Sequence, residues 1–104
     1  MNLRGTFSGS SATLTWDPIP STTTGYGYKI YYDSDYSGPP YDGTGLTQGN
    51  SPVDAGNTTS FTLTGFAGAK YYFAVTAYDN RGHESWYSNQ LIRLNKVYLP
   101  LIRR

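Results

Sequence analysis

The sequence contains no cysteine and only one histidine in 104 residues. Without cysteine there can be no disulfides, thiol nucleophiles, iron–sulfur clusters or thiolate zinc sites, and one histidine cannot form a multi-histidine metal centre. No run of about 18 apolar residues occurs, so no membrane-spanning helix is expected. The length predicts one domain, which must be held together by packing alone.

Charged residues are also scarce, at 14% of the chain, and the formal net charge is only +1. Such a balance does not favour a nucleic-acid partner, which would select for a strongly basic surface. The polar residues that are present include many Ser, Thr, Gly and Tyr, which are typical of strands and turns. The composition therefore predicts a β-rich domain.

Apolar and polar residues alternate along several short runs, and no useful stretch has helical periodicity. The clearest runs are Ala12–Trp16, Tyr28–Tyr32, Phe61–Thr64 and Tyr71–Tyr78. Weaker strands are predicted near 3–7, 51–54 and 87–94. The last does not alternate simply at Leu91–Leu94, and a bulge there is one explanation. One face of the runs supplies the predicted core: Trp16, Tyr28, Ile30, Leu63, Tyr71, Phe73 and Val75. The other face is expected to point outward: Tyr31, Tyr72, Ala74, Thr76 and Tyr78.

Turn-forming segments separate these runs at short intervals. They include Asp17–Thr24, a long Gly-rich connection from Ser34 to Asn50, Asp54–Asn57, Gly65–Gly68 and Asp79–Gly82. Short strands at this spacing indicate a sandwich or barrel. The sequence therefore predicts an all-β fold of about seven strands in two antiparallel sheets.

Several of these segments resemble fibronectin type III domains of secreted bacterial proteins. The resemblance rests on Ala12–Trp16, Gly27–Tyr32, Gly56–Phe66, Lys70–Asp79, Gly82–Ser85 and Tyr87–Asn89. It implies an immunoglobulin-like sandwich over residues 1–94, followed by a separate apolar and basic tail, 95–104. It also implies that Tyr71 is a corner tyrosine whose hydroxyl bonds to backbone near the Gly65–Ala69 turn.

The resemblance further implies a non-catalytic module without a cofactor, part of a larger secreted or cell-surface protein. Its partners would be neighbouring domains of the same polypeptide, and the module itself would be monomeric. The leading hypothesis is a spacer or protein-interaction module. The alternatives are a carbohydrate-binding accessory module of an extracellular hydrolase and homotypic adhesion through strand edges.

The residues offer little catalytic or metal-binding chemistry. His83 follows Arg81-Gly82 on a hairpin loop, and no nucleophile elbow or oxyanion loop accompanies it. No Arg-Gly-Asp sequence occurs there, so integrin-type adhesion is not implied. Asp33, Asp35 and Asp42 could chelate calcium through their oxygens, although aspartate is also common in turns.

Aromatic residues are the most suggestive functional feature, with eleven Tyr and two Trp. Exposed rings could stack on sugars or anchor a protein partner, while half-exposed Tyr also packs across neighbouring strands. Trp86 is the first residue to test. The candidate binding residues are Trp86, Tyr87, His83, Arg81, Tyr36 and Tyr41.

The final segment, 95–104, is apolar and then basic, with Pro100 near its middle. Two interpretations stand side by side. It could fold along a sheet edge and protect it from pairing with another chain, or it could be a surface-sorting signal.

Overall fold

The fold of the chain consists of two antiparallel sheets. The structure is a computed structural model, described at residues 2–19, 27–34, 38–66 and 70–94. One sheet has the order β1-β2-β5 and the other β4-β3-β6-β7. The described residues contain no helix, so none there is long and apolar enough to cross a membrane. The predicted all-β sandwich is confirmed. Its strands are β1 (Arg4–Ser8), β2 (Ser11–Thr15), β3 (Gly27–Asp33), β4 (Val53–Gly56), β5 (Ser60–Thr64), β6 (Lys70–Tyr78) and β7 (Leu91–Leu94).

The core lies between the sheets and is built from alternate residues of each strand, because successive side chains of a strand point to opposite faces. On the central pair β3 and β6, Ile30 lies opposite Val75 and Tyr32 opposite Phe73, which places all four side chains in the interior. The indole of Trp16 is fully buried and packs 5.5 Å from the ring of Tyr28, centroid to centroid. Leu63 is buried as well, and every residue predicted for the core lies in it: Trp16, Tyr28, Ile30, Leu63, Tyr71, Phe73 and Val75.

The weaker strands differ from their predicted bounds. β1 and β4 begin one and two residues later than expected, and β7 covers Leu91–Leu94 rather than 87–94. Register between β6 and β7 is regular from Lys70 opposite Leu94 to Phe73 opposite Leu91. The bulge predicted within Leu91–Leu94 is therefore wrong.

Tyr71 is buried, and its ring packs edge-on against Phe66 at 4.6 Å. The predicted hydroxyl bond of this corner tyrosine involves the turn at 65–69, of which residues 67–69 lie outside the described ranges. The tail at 95–104 lies outside them too. Both expectations stay predictions.

The long connection between β3 and β4 closes one side of the sandwich. The Gly43 N–H donates to the Tyr32 carbonyl at 2.8 Å, and the Thr47 N–H donates to the Thr64 carbonyl on β5 at 3.0 Å. The Tyr32 hydroxyl donates to the Gly49 carbonyl at 2.6 Å, and Leu46 is buried in the core. Because residues 43–49 contact both sheets, this part of the connection belongs to the folded core.

The opposite side is closed where β1 and β7 lie alongside each other in the same direction. At one end the Asn89 side chain accepts from the Leu3 N–H at 2.8 Å and donates to the Leu3 carbonyl at 3.0 Å. At the other end Arg93 donates to the Gly9 carbonyl at 2.7 Å. The chain thus enters β1 at one pole of the sandwich and leaves β7 at the other.

Candidate functional site

The outer face of the four-stranded sheet is covered by a second aromatic layer. The Tyr87 ring lies 5.0 Å from Tyr31, 5.2 Å from Tyr41 and 5.4 Å from Trp86, centroid to centroid and edge to face in each case. We call these four residues the aromatic cluster. Edge-to-face rings at such distances attract each other beyond simple burial, so the cluster is a packed unit.

This layer corrects the expectation that the outward residues of β6 face solvent. Ala74 is 0% exposed and Thr76 only 2%, although both point away from the main core. Ala74 lies opposite Tyr31 in the sheet register, and the Thr76 hydroxyl donates to Glu84 at 2.7 Å. The sheet is therefore covered on both faces at its centre.

A bulge between two serines positions Trp86 and Tyr87. Ser85 donates its N–H to the Ala77 carbonyl at 2.7 Å, and its hydroxyl accepts from the Ala77 N–H at 2.9 Å. Ser88 repeats this exchange with Val75 at 2.8 and 2.9 Å. Two residues, Trp86 and Tyr87, therefore stand opposite the single residue Thr76. This is the residue count of a β-bulge, with serine hydroxyls in place of backbone carbonyls.

The two neighbours in the bulge have different environments. Trp86 is 79% exposed, whereas the Tyr87 ring is half-buried between Tyr31 and Tyr41. Burial raises the pKa of the Tyr87 hydroxyl. Trp86 is therefore the part of the cluster that is open to a ligand.

Tyr41 is buried, at 6% exposure, and the prediction of an open ring on a loop is wrong for this residue. Its hydroxyl donates to the Gln90 side chain at 2.9 Å, and the Gly38 N–H donates to the same oxygen at 2.9 Å. These two bonds hold Gly38 and Tyr41 of the β3–β4 connection against Gln90. Tyr41 supports the cluster and is not a contact surface.

Glu84 is the acidic group of this face. It accepts hydrogen bonds from the hydroxyls of Tyr31 and Thr76, and its other oxygen lies 3.9 Å from the Lys29 ammonium. Burial alone would raise the pKa of Glu84, but these two hydrogen bonds and the Lys29 charge together hold it below its ordinary value. Burial and the bond to Glu84 raise the pKa of Tyr31 strongly. The site thus holds an ionised carboxylate beside neutral phenols.

We expect the Glu84 contacts to contribute stability that is lost in acid. Because the folded-state pKa is lowered, the contribution is present above the ordinary pKa of 4.5 and disappears as pH falls through the lower folded-state value. NMR titration of the Glu84 carboxyl carbon should give a midpoint below 4.5. Tyr31→Phe, which removes one donor but keeps the ring, should raise that midpoint. A midpoint at or above the ordinary value in the unaltered chain would contradict the assignment.

The adjacent loop holds two further predicted binding residues, Arg81 and His83, both exposed. Asp79 organises this loop by accepting from the N–H groups of Arg81 and His83 at 2.9 and 3.0 Å, and these bonds lower the pKa of Asp79. The His83 ring contacts the other Asp79 oxygen at 3.0 Å. The His83 ring therefore has a local role in the hairpin, and no described contact brings Arg81 or His83 into the aromatic cluster.

The described part of the structure does not bring the predicted calcium ligands together. Asp33 is buried and Asp42 is exposed, while Asp35 and the candidate Tyr36 lie outside the described residues. Across 2–19, 27–34, 38–66 and 70–94, no three His, Cys, Asp or Glu side chains form a metal-binding group.

Sequence reasoning missed the supporting residues of the cluster: Glu84, Ser85, Ser88 and Gln90. Two signals were available. Tyr31 alternates onto the outer face of β3, and the two serines are separated by two residues beside a strand. Neither signal identifies a contact on its own. The β6 residues that bond to Glu84, Ser85 and Ser88 lie several residues earlier in the chain, on the other side of a turn.

The sequence of this chain was compared with those of known protein families and curated proteins. The sequence model of the fibronectin type III domain matches residues 1–92. A Kelch domain-containing protein of Saccharolobus solfataricus is 34% identical over 91 residues, which cover 86% of this chain and 10% of that protein. The chain thus spans about a tenth of the length of this curated relative.

Proposed function

We propose that this chain, which belongs to the fibronectin type III domain family, is a spacer that holds neighbouring domains of a larger protein at its two opposite poles. Domains of this family are modules within larger proteins. The observation that carries the spacer role is the parallel arrangement of β1 and β7, bonded from Leu3–Asn89 to Gly9–Arg93. On the β1 side, Leu3 and Gly9 are six residues apart, which corresponds to about 20 Å at the rise of a strand.

The proposal includes the absence of catalysis in this chain. The His83 ring is exposed and, among the described residues, hydrogen-bonds only to Asp79. That arrangement gives it neither a nucleophile to activate nor a cleft in which to act. We also propose an extracellular or cell-surface setting, which rests on the resemblance to modules of secreted proteins. A Kelch domain, present by name in the relative, is one class of neighbour to look for.

The covered strand edges favour a monomeric spacer over homotypic adhesion through those edges. Gly43 occupies the edge of β3 beyond the end of β4, and Thr47 bonds to the free edge of β5 at Thr64. Edges covered in this way offer fewer backbone groups to another chain.

The spacer proposal can be tested by placing the full chain between two fluorescent reporter domains. We expect single-molecule energy transfer to give one narrow distance distribution. A Gly/Ser linker of the same length is the matched control and should give a broad one, with a root-mean-square separation of about 55 Å. Equal breadth for the two proteins would refute the spacer role.

A further inference from the structure

We propose that Trp86 forms a second functional site, which binds a neutral hexopyranose unit of a polysaccharide. The indole is 79% exposed, more than the two other large apolar side chains that are exposed in the described ranges, Phe7 at 36% and Ile92 at 46%. A flat ring open to solvent presents a face on which the C–H groups of a sugar can stack. This binding role goes beyond the spacer function, and the site lies on the outer face of the four-stranded sheet, three residues before Asn89.

The backbone that carries Trp86 is fixed before any ligand arrives. Ser85 and Ser88 each exchange two hydrogen bonds with β6 on either side of it, and the indole lies edge to face with Tyr87. Tyr87 is itself packed between Tyr31 and Tyr41. A prearranged ring lowers the ordering cost of binding, which matters most for a small ligand with few contacts.

The size of the exposed apolar surface favours a sugar over a protein partner. One aromatic side chain presents about 150–250 Å², whereas each partner of a stable protein interface buries about 800 Å². Phe7 lies on the other sheet, and Ile92 is opposite Tyr72, about 13 Å along β6 from the residue that faces Trp86. Neither residue extends the Trp86 surface to the area that a protein interface requires.

The charges beside the ring favour a neutral ligand. Glu84, which accepts a hydrogen bond from Tyr31 of the cluster, is opposed by Lys29 at 3.9 Å, so this pair adds no net charge to the face. One Glu84 oxygen accepts from Tyr31 and Thr76, while the other has only the Lys29 ammonium among its described contacts. That second oxygen keeps acceptor capacity for a sugar hydroxyl.

The test uses the full chain with four neutral oligosaccharides: cellohexaose, chitohexaose, laminarihexaose and maltohexaose. At least one should bind in calorimetry and should protect the tryptophan emission from iodide. Iodide reports on Trp86, because the only other tryptophan, Trp16, is buried. Trp86→Ala should weaken binding about tenfold or more, equal to about 1.4 kcal/mol. Affinity should not change when salt is raised to about 1 M, since no ion pair is formed.

Ile92→Ala is the matched control, because it removes an exposed apolar side chain from the same sheet outside the cluster. It should bind like the unaltered chain, and both variants should remain folded, with a cooperative melting transition. The proposal is overturned if none of the four oligosaccharides binds, if Trp86→Ala binds as well as the unaltered chain, or if only an acidic polysaccharide binds and does so in a salt-dependent way. Binding of a proline-rich peptide at Trp86 without any glycan binding would assign the ring to a protein partner instead.

Discussion

Replacement of Trp16 by alanine is expected to lower the free energy of unfolding by about 3–5 kcal/mol, since the indole is fully buried between the sheets. A domain of this size has a total stability of about 5–15 kcal/mol. The variant should therefore be only marginally folded. Urea denaturation followed by circular dichroism would measure the change, with Trp86→Ala as the exposed-tryptophan control that should cost about 1.5 kcal/mol or less.

Trp16→Phe separates packing from hydrogen bonding at the same position. The indole N–H is buried and has no hydrogen-bond partner among the described residues, and a buried unpaired donor costs about 1–3 kcal/mol. Phenylalanine fills most of the space and removes this donor. Its penalty should be roughly half that of alanine or less, and equal penalties would contradict the assignment of an unpaired indole N–H.

The second large effect is expected at Gly43, where any side chain would collide with Tyr32. A Cβ at this position would lie 2.6 Å from the Tyr32 ring and 2.7 Å from the Tyr32 carbonyl oxygen. The ring cannot move aside, because it is fully buried and its hydroxyl donates to the Gly49 carbonyl. Gly43→Ala should therefore cost about 1–3 kcal/mol or more through overpacking, measured as a lower urea midpoint.

Gly45→Ala is the matched control on the same connection. Gly45 has a φ of +96°, and a Cβ added there would have no other atom within 4 Å, so its substitution strains the backbone without a collision. We expect it to be the milder of the two changes. A Gly43→Ala protein as stable as Gly45→Ala would mean that the connection is not packed against β3.

The main core could be predicted from the sequence because alternation is a local property. Tyr28, Ile30 and Tyr32 share one face of β3 whatever their partners are, and only one face can be directed toward the other sheet. The same rule gave the wrong environment for Ala74 and Thr76. Periodicity distinguishes two faces of a strand, but it does not say whether something distant in sequence covers the second one.

The cover over that second face comes from remote contacts. Tyr41 reaches Gln90 across 49 positions of the chain, and Tyr31 reaches Glu84 across 53. No short pattern encodes such pairs. The irregular approach to β7 has a related cause, because the hydroxyls of Ser85 and Ser88 accept bonds that backbone carbonyls would accept in a regular strand. Side-chain replacement of this kind shortens a strand without an obvious breaker in the sequence.

The side-by-side course of β1 and β7 has a mechanical consequence. Tension applied to the two chain ends acts lengthwise along both strands and loads their contacts in shear. The paired bonds of Asn89 with Leu3 and the bond of Arg93 with Gly9 then share the force from opposite ends. A module anchored in this way resists stretching until these attachments yield together, whereas a hairpin pulled open from one end would lose its bonds one at a time.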